Sequence, residues 1–287
     1  MPNTKPATTT TELLEEKRKL AAARSMINYG FYLGATPDNL EQIKKAKNIA
    51  AVKVYMGATT GDLLVTDNAA LDSIFASGRM IAVHAESEDV IKTNTEIFSN
   101  AEVKEPTEFH LTIRSNEAAE KALSNAIELA KKNKTRLHVC HMSTKEEVGM
   151  IAAAKKAQKM LSCEVTPHHL FLTADLARKL GNYAKVNPPL RREDDLAALW
   201  EAVSKGVVDI IATDHAPHLR EEKEKDYWDA PSGIPGIQTM LPLLLDAVNK
   251  GRLSLQRVVE LTSESPAGIF GVSGKGKIAV GMDADLA

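Results

Sequence analysis

The sequence lacks most of the features that mark secreted, membrane-spanning or nucleic-acid-binding proteins. Its two cysteines, Cys140 and Cys163, cannot build a disulfide framework, and their apolar surroundings predict buried thiols. The net charge of -2 gives no support for a nucleic-acid partner or an anionic membrane surface. No apolar run approaches the roughly 20 residues that a membrane span needs, and residues 1–6 lack the apolar segment of a secretion signal. We therefore predict a cytoplasmic protein that binds neither nucleic acid nor membrane.

Several common catalytic signatures are also missing. There is no G-x-G-x-x-G turn for a dinucleotide, and no G-x-S-x-G elbow for a nucleophilic serine. Gly271, Gly276 and Lys277 are spaced as in a phosphate-binding loop, but Ile278 stands where that loop needs Ser or Thr. Neither cysteine has a setting that suits a nucleophile. These absences argue against phosphate-loop chemistry and against a serine or cysteine nucleophile.

What is present is a regular alternation of strand and helix patterns. With 287 residues, 44% of them hydrophobic, the chain can form one large domain. The connections are too long for hairpins, which predicts parallel strands with right-handed crossovers. Helices are expected over residues 11–24, 37–45, 67–76, 116–131, 144–158, 193–203, 237–249 and 254–261, with a long charged connection from 87 to 113. Strands are expected over residues 25–33, 51–55, 80–83, 136–140, 161–165 and 207–213.

Polar side chains end strand after strand, and this decides between two α/β architectures. An open doubly wound sheet would usually carry a glycine-rich phosphate turn, which is absent. A (β/α)₈ TIM-like barrel places its chemistry at the carboxyl ends of its strands, as this pattern does. Six predicted strands leave such a barrel two short, so we predict an incomplete barrel.

The strand ends carry residues that could bind a metal: Lys53, His84, His141, the His168-His169 pair and Asp214. Imidazoles and a carboxylate that meet at one barrel mouth suit zinc. We predict a metal-activated water as nucleophile, with Asp214 placed to take its proton. The competing interpretations are structural: an Asp that caps the next helix, surface or hydrogen-bonded histidines, and a lysine that reaches solvent from a strand end.

Six segments resemble motifs of the dihydroorotases, which belong to the amidohydrolase superfamily, and they follow that family's order along the whole chain. The most specific is Ala212-Thr213-Asp214-His215-Ala216-Pro217-His218, whose last residues usually differ in allantoinases and hydantoinases. The other five are Met1-Pro2-Asn3-Thr4, Val83-His84-Ala85-Glu86, His138-Val139-Cys140-His141, Cys163-Glu164-Val165-Thr166-Pro167-His168-His169-Leu170 and Val186-Asn187-Pro188-Pro189-Leu190-Arg191.

The resemblance implies one or two zinc ions at the barrel mouth. Lys53 matches a lysine that is carbamylated to bridge two metals, although some dihydroorotases use an Asp there. His84 and His141 match the histidine ligands of the second metal. Asp214 matches a ligand that also serves as general base and then as general acid. Glu164 matches an acid that binds a further metal in some members.

The resemblance also implies a substrate and its contacts. The reaction is the hydrolysis or formation of the cyclic amide of dihydroorotate, from N-carbamoyl-L-aspartate in pyrimidine biosynthesis. His218 matches the residue that binds the substrate carboxylate, and the other implied contacts are the side chains of Asn3 and Asn187 and the backbone at Ser232 and Gly233. A homodimer and an association with a transcarbamoylase are the implied assemblies.

One departure from the family pattern is large. The His-x-His pair and the Arg that follow the first strand in dihydroorotases do not occur upstream in this chain. Residues 1–270 then correspond to barrel strands three to eight, and residues 271–287 to the start of a C-terminal β-sandwich segment. We therefore expect a fragment that is inactive and prone to aggregate when isolated.

Two other functions compete with dihydroorotase. An allantoinase or dihydropyrimidinase would share the metals without needing a cation-capable residue at His218. A non-catalytic dihydroorotase-like subunit would support a transcarbamoylase partner, but such subunits lose metal ligands.

Overall fold

The computed structural model describes residues 1–59, 61, 63–99, 106–157 and 159–286, without the side chains of 106–108. The strands are β1 (Leu33–Gly34), β2 (Val52–Tyr55), β3 (Ile81–His84), β4 (Leu137–Val139), β5 (Leu161–Val165) and β6 (Ile210–Ile211). The helices are α1 (Thr11–Arg24), α2 (Leu40–Lys45), α3 (Asn68–Phe75), α4 (Glu88–Ser99), α5 (Pro106–Ile113), α6 (Asn116–Asn133), α7 (Lys145–Ala157), α8 (Pro167–Phe171), α9 (Ala174–Leu180), α10 (Glu193–Ser204), α11 (Arg220–Lys223), α12 (Ile237–Asn249), α13 (Leu255–Val259) and α14 (Ser265–Phe270).

The six strands form one parallel sheet in the order of the chain, β1 to β6. Each strand pairs with the next in register, for example Lys53 with Ala82 and Tyr55 with His84. Sequential parallel pairing with helical crossovers is the arrangement of a (β/α)₈ barrel, here with six of its strands. All carboxyl ends therefore lie along the same rim.

The sheet is buried on both faces, which explains the near-continuous apolar runs of its strands. Every residue of β2, β3 and β5 is buried. Outside the sheet, α6 begins at the cap Ser115 and turns a face rich in alanine toward the core. Small side chains on this face let the helix approach the strands closely. The rim residues are thus held by a rigid, fully packed support.

Three sequence expectations were wrong in extent. The strand expected over 25–33 is reduced to β1, and Met26 and Ile27 are 99% and 79% exposed, because β1 pairs only with β2 among the described residues. The strand expected over 207–213 is only β6. The connection expected over 87–113 contains α4 and α5, although residues 100–105 lie outside the described part.

Two further expectations concern the ends of the structure and the membrane. Residues 271–286 hold turns without a helix or strand in the described chain, so the start of a β-sandwich there stays a prediction. Within the described residues, every helix is too short or too polar to cross a membrane. Both cysteines are free and buried, as predicted.

Candidate active site

A cavity of about 240 Å³ opens at the carboxyl rim of the sheet. Its walls come from β2 and the loop after it, from the end of β3, from the connections after β4, β5 and β6, and from the chain start. Apart from Glu164 and the His168-His169 pair, the structure brings together in this cavity the metal-binding and substrate-binding residues predicted from the sequence: Asn3, Lys53, His84, His141, Asn187, Asp214, His218, Ser232 and Gly233.

Two imidazoles face each other at the bottom of the site. His84 ends β3, His141 follows β4, and both are almost fully buried. His84 Nδ1 lies 3.1 Å from His141 Nε2. Two nitrogens bound to one zinc ion at angles between octahedral and tetrahedral would be about 2.8–3.4 Å apart. Burial lowers the pKa of both histidines, which favours the neutral, metal-binding form.

Lys53 is an unusual residue for the middle of a buried strand. It is 2% exposed, and its Nζ has no hydrogen-bond partner among the described residues. The Tyr55 ring centre lies 5.1 Å from that nitrogen. Because the whole side chain is buried, the alternative of a lysine that reaches solvent does not fit the structure.

Asp214 and His141 share a strained backbone. Their φ angles are +43° and +37°, in the left-handed region that residues other than glycine seldom adopt. Each residue follows the end of a strand, where the turn aims its side chain into the cavity. Burial raises the pKa of the Asp214 carboxyl, while nearby Lys53 acts in the opposite direction. Local strain of this kind is concentrated at functional sites.

The remaining predicted contacts form the outer wall. His218 Nε2 donates to the Ser232 carbonyl at 3.2 Å. The Gly233 N–H donates to the Lys185 carbonyl at 2.9 Å, which fixes the backbone next to the cavity. Asn187 Nδ2 lies 3.5 Å from Thr59 Oγ1. This wall offers both hydrogen-bond donors and hydrogen-bond acceptors to a small ligand.

Not every strand-end residue contributes. His168 and His169 are buried but do not line the cavity, and His169 is held by Thr166 and by the Pro188 carbonyl. A structural role as a hydrogen-bonded histidine therefore fits His169, whereas His168 Nε2 is buried without a hydrogen-bond partner in the described residues.

Glu164 lies in a separate buried group with His138 and Cys140, whose ligand atoms are within 4.8 Å of one another. His138 contacts Glu164 at 2.9 Å through Nε2 and Ser162 at 2.9 Å through Nδ1. Hydrogen bonds thus satisfy both nitrogens of this histidine, although the three ligand atoms are also close enough together for one metal ion.

Sequence reasoning missed the pair Glu86 and Arg114. Glu86 Oε2 lies 2.8 Å from His84 Nε2 and 3.0 Å from Arg114 Nε. Although burial acts to raise it, the pKa of Glu86 is held well below its usual range by Arg114 and His84. The only sequence signal was that Glu86 comes two residues after the candidate ligand His84. Arg114 lies 28 residues further along, too far for the sequence to indicate the contact.

The comparisons with known proteins agree with this geometry. Residues 7–287 match the Amidohydrolase family. The chain belongs to the amidohydrolase family. It is 38% identical to a dihydroorotase of Methanosarcina acetivorans over 99% of this chain, and 37% identical to an L-hydantoinase of Paenarthrobacter aurescens over 100% of it. The solved L-hydantoinase (dihydropyrimidinase) from Arthrobacter aurescens superposes with a TM-score of 0.93 at 35% identity over 99% of the chain.

These relatives are longer than the amidohydrolase chain described here. The matched regions cover 63% of the Methanosarcina dihydroorotase and 65% of each of the two hydantoinases. The chain therefore spans just under two thirds of their length. The hydantoinase and dihydropyrimidinase structures are TIM-barrel amidohydrolases, so the incomplete barrel predicted from the sequence is confirmed.

The cavity residues fit the metal on which amidohydrolases generally depend. One buried polar atom at the site, Lys53 Nζ, has no hydrogen-bond partner in the described residues. The two imidazoles are close enough to share one ion, and Asp214 adds a carboxylate to the same cavity. A set of nitrogen and carboxylate donors is typical of a zinc site.

Proposed function

We propose that the chain forms the catalytic part of a zinc-dependent cyclic amidohydrolase that interconverts dihydroorotate and N-carbamoyl-L-aspartate in pyrimidine biosynthesis. The observation that carries the proposal is the meeting at one cavity of nine residues from seven separate stretches of the chain. The dihydroorotase relatives support this substrate, since they match 99% of the chain at 38% identity. A cytoplasmic location agrees with the two buried free thiols.

The metal-holding residues in this proposal are Lys53, His84, His141 and Asp214, for one or two zinc ions. Carbamylation of Lys53 would replace a buried cation without a hydrogen-bond partner in the described residues by an anion that binds metal. When bound, the metal polarises the amide carbonyl and lowers the pKa of water.

Asp214 moves the proton. Its carboxylate takes a proton from the attacking water and delivers it to the amide nitrogen as the ring C–N bond breaks. His218 binds the substrate carboxylate, and Asn3, Asn187 and the backbone at Ser232 and Gly233 orient the ring. Ring closure is the same path in reverse.

The test of this role uses the full-length protein. An Asp214→Asn variant that retains its zinc should lose about 10²–10⁴-fold in the rate of ring closure at neutral pH. Undiminished closure by a zinc-loaded variant would remove Asp214 from the mechanism.

A hydantoinase or dihydropyrimidinase activity is the second candidate, because the TM-score of 0.93 is to an L-hydantoinase. The two activities differ at the substrate carboxylate. Turnover should therefore be compared between dihydroorotate, which has a carboxylate, and dihydrouracil or hydantoin, which do not. Faster turnover of the neutral rings would favour the second candidate.

A non-catalytic subunit is the third candidate, and metal analysis separates it from the enzymes. A non-catalytic subunit would associate with a transcarbamoylase. The 34% identity of the chain to part of the Multifunctional protein CAD of Squalus acanthias supports such an association. A homodimer is the alternative assembly. Less than about 0.1 equivalent of zinc in the purified protein would favour the non-catalytic role.

The proposal also covers which part of a complete barrel the chain represents, since the chain is shorter than its relatives. We infer that residues 1–270 correspond to strands three to eight of the barrel and residues 271–287 to the start of a sandwich segment. The 287 residues alone should then be inactive and prone to aggregate, because open sheet edges expose backbone groups. Measurable turnover by these residues alone would contradict this expectation.

A further inference from the structure

We propose that Glu86, held by Arg114, is a positioning residue that fixes which nitrogen of His84 faces the cavity. This inference rests on the proposed metal site, because it assigns a role to a group behind one of its ligands. Glu86 itself does not line the cavity.

The geometry around Glu86 determines the tautomer of His84. Glu86 is fully buried and comes two residues after the end of β3. Its Oε2 lies 2.8 Å from His84 Nε2, and an ionised carboxylate can only accept a hydrogen bond. His84 Nε2 must therefore carry the proton, and Nδ1 keeps its lone pair. That lone pair is on the nitrogen that lies 3.1 Å from His141 Nε2.

One contact could support the opposite tautomer. Arg114 Nη2 lies 3.4 Å from His84 Nε2, where it could donate to an unprotonated nitrogen. That nitrogen would then place its lone pair 2.8 Å from the Glu86 carboxylate, which is repulsive. The contact with the carboxylate is the shorter by 0.6 Å, so the protonated Nε2 is the favoured form.

Arg114 fixes Glu86 and links it to a loop of the cavity. Its Nε and Nη2 donate to Glu86 Oε2 at 3.0 and 2.5 Å, and Nη2 also donates to the Ala58 carbonyl at 2.8 Å. Gly57, in the same loop, packs against the backbone of Glu86, since a Cβ on Gly57 would lie 2.5 Å from the Glu86 carbonyl oxygen. The orientation of His84 is thus coupled to the loop that brings Thr59 to the cavity wall.

Glu88 offers a matched control. It is also a buried glutamate, 7% exposed, and its Oε2 accepts the Ala58 N–H at 2.6 Å. It therefore contacts the same loop as Arg114, but none of its described contacts is with a histidine. Comparing Glu86→Gln with Glu88→Gln separates an effect on His84 from an effect on the loop.

The first experiment measures the Zn²⁺ affinity of the full-length, metal-stripped protein by competition with a chelator. Loss of a carboxylate behind a histidine ligand typically weakens metal binding about 10–100-fold, and Glu86→Gln should do so. Glu88→Gln should stay within about two-fold of the wild type. Wild-type affinity in the Glu86→Gln variant would overturn the proposal.

Two additions protect the experiment against a folding failure. Glu86→Gln leaves the Arg114 charge buried without its partner, so a double variant with Arg114→Met removes both charges. Its Zn²⁺ affinity should fall by a similar factor, because the amide is a weaker acceptor than the carboxylate. Circular dichroism of the metal-free variants checks that they are folded.

The second experiment does not depend on metal binding. A long-range ¹H–¹⁵N spectrum of the metal-free protein reports the tautomer of each histidine, and His84 should be protonated at Nε2. Protonation at Nδ1 in the wild type would overturn the proposal. If the wild type fails to bind Zn²⁺ but shows the expected tautomer, the proposed function fails while the positioning role of Glu86 stands.

Discussion

Substitution of Gly233 by alanine tests the wall of the cavity that is proposed to meet the substrate ring. Gly233 is buried and has a φ angle of +154°. A Cβ built on it would lie 2.4 Å from the Ala216 carbonyl oxygen, 2.8 Å from the Ala216 Cβ and 3.0 Å from His218 Cδ2. Two of these neighbours are backbone or short side-chain atoms that cannot rotate away. The loop itself must therefore move.

The size of this movement follows from the contact distances. Ordinary van der Waals contact begins at 3.4 Å, so Gly233 and Ala216 must separate by about 1 Å. A shift of this size in a positioning element can lower activity about 10²-fold. The expected loss in kcat/KM for dihydroorotate is therefore about 10²-fold, with a loss of about 1–3 kcal/mol in the free energy of unfolding.

The assay compares kcat/KM and the unfolding midpoint for two Gly→Ala variants of the full-length protein, because the 287 residues alone are expected to be inactive. Gly149 is the control, because it is exposed in α7 and a Cβ there would meet nothing within 4 Å. Gly149→Ala should keep full activity and gain about 0.5–1 kcal/mol in stability. If Gly233→Ala, folded and loaded with metal, kept its kcat/KM, the reasoning about this wall would be refuted.

Three further predictions concern side chains around the site. His218→Ala should raise the KM for dihydroorotate about 10–100-fold and change dihydrouracil turnover much less, as initial rates would show. Burial lowers the pKa of His110 to about 3, so the unfolded chain binds more protons below pH 6.5. Wild-type stability should then fall by about 2 kcal/mol more than that of His110→Gln between pH 7 and pH 5, measured by urea unfolding. Gly57→Ala should weaken Zn²⁺ binding, since its Cβ would displace the Glu86 backbone; unchanged affinity in a chelator competition would count against the coupling of loop and ligand.

The strands were predictable because the pattern that defines them is local. The expected strand over residues 161–165 matches β5 to the residue. The strand expected over 51–55 is one residue longer than β2 at its start, and the strand expected over 80–83 is shifted by one residue relative to β3. A strand that is buried on both faces leaves a short apolar run, which needs no knowledge of its neighbours. The candidate residues at the strand ends could then be assigned to one rim.

The failures came from features that depend on distant parts of the chain. Ile27 and Tyr29 alternate with polar residues as in a strand, yet they are 79% and 48% exposed. The alternation cannot reveal whether a partner strand lies alongside. The sequence predicts a charged connection where α4 lies, although Glu88 and Asp89 in its first turn are a common signal of a helix start.

Two features that shape the site, the contact between Glu86 and Arg114 and the left-handed backbone at His141 and Asp214, were the least predictable from the sequence. Nothing in the sequence between Glu86 and Arg114 indicates that they meet, because α4 and α5 together bring them into contact. The left-handed backbone at His141 and Asp214 likewise has no glycine to mark it. Such a conformation costs about 1–3 kcal/mol at each residue and persists only where the surrounding structure enforces it. Both strained residues point into the same cavity, so this destabilisation favours an enzyme that uses the cavity over a subunit that merely retains its shape.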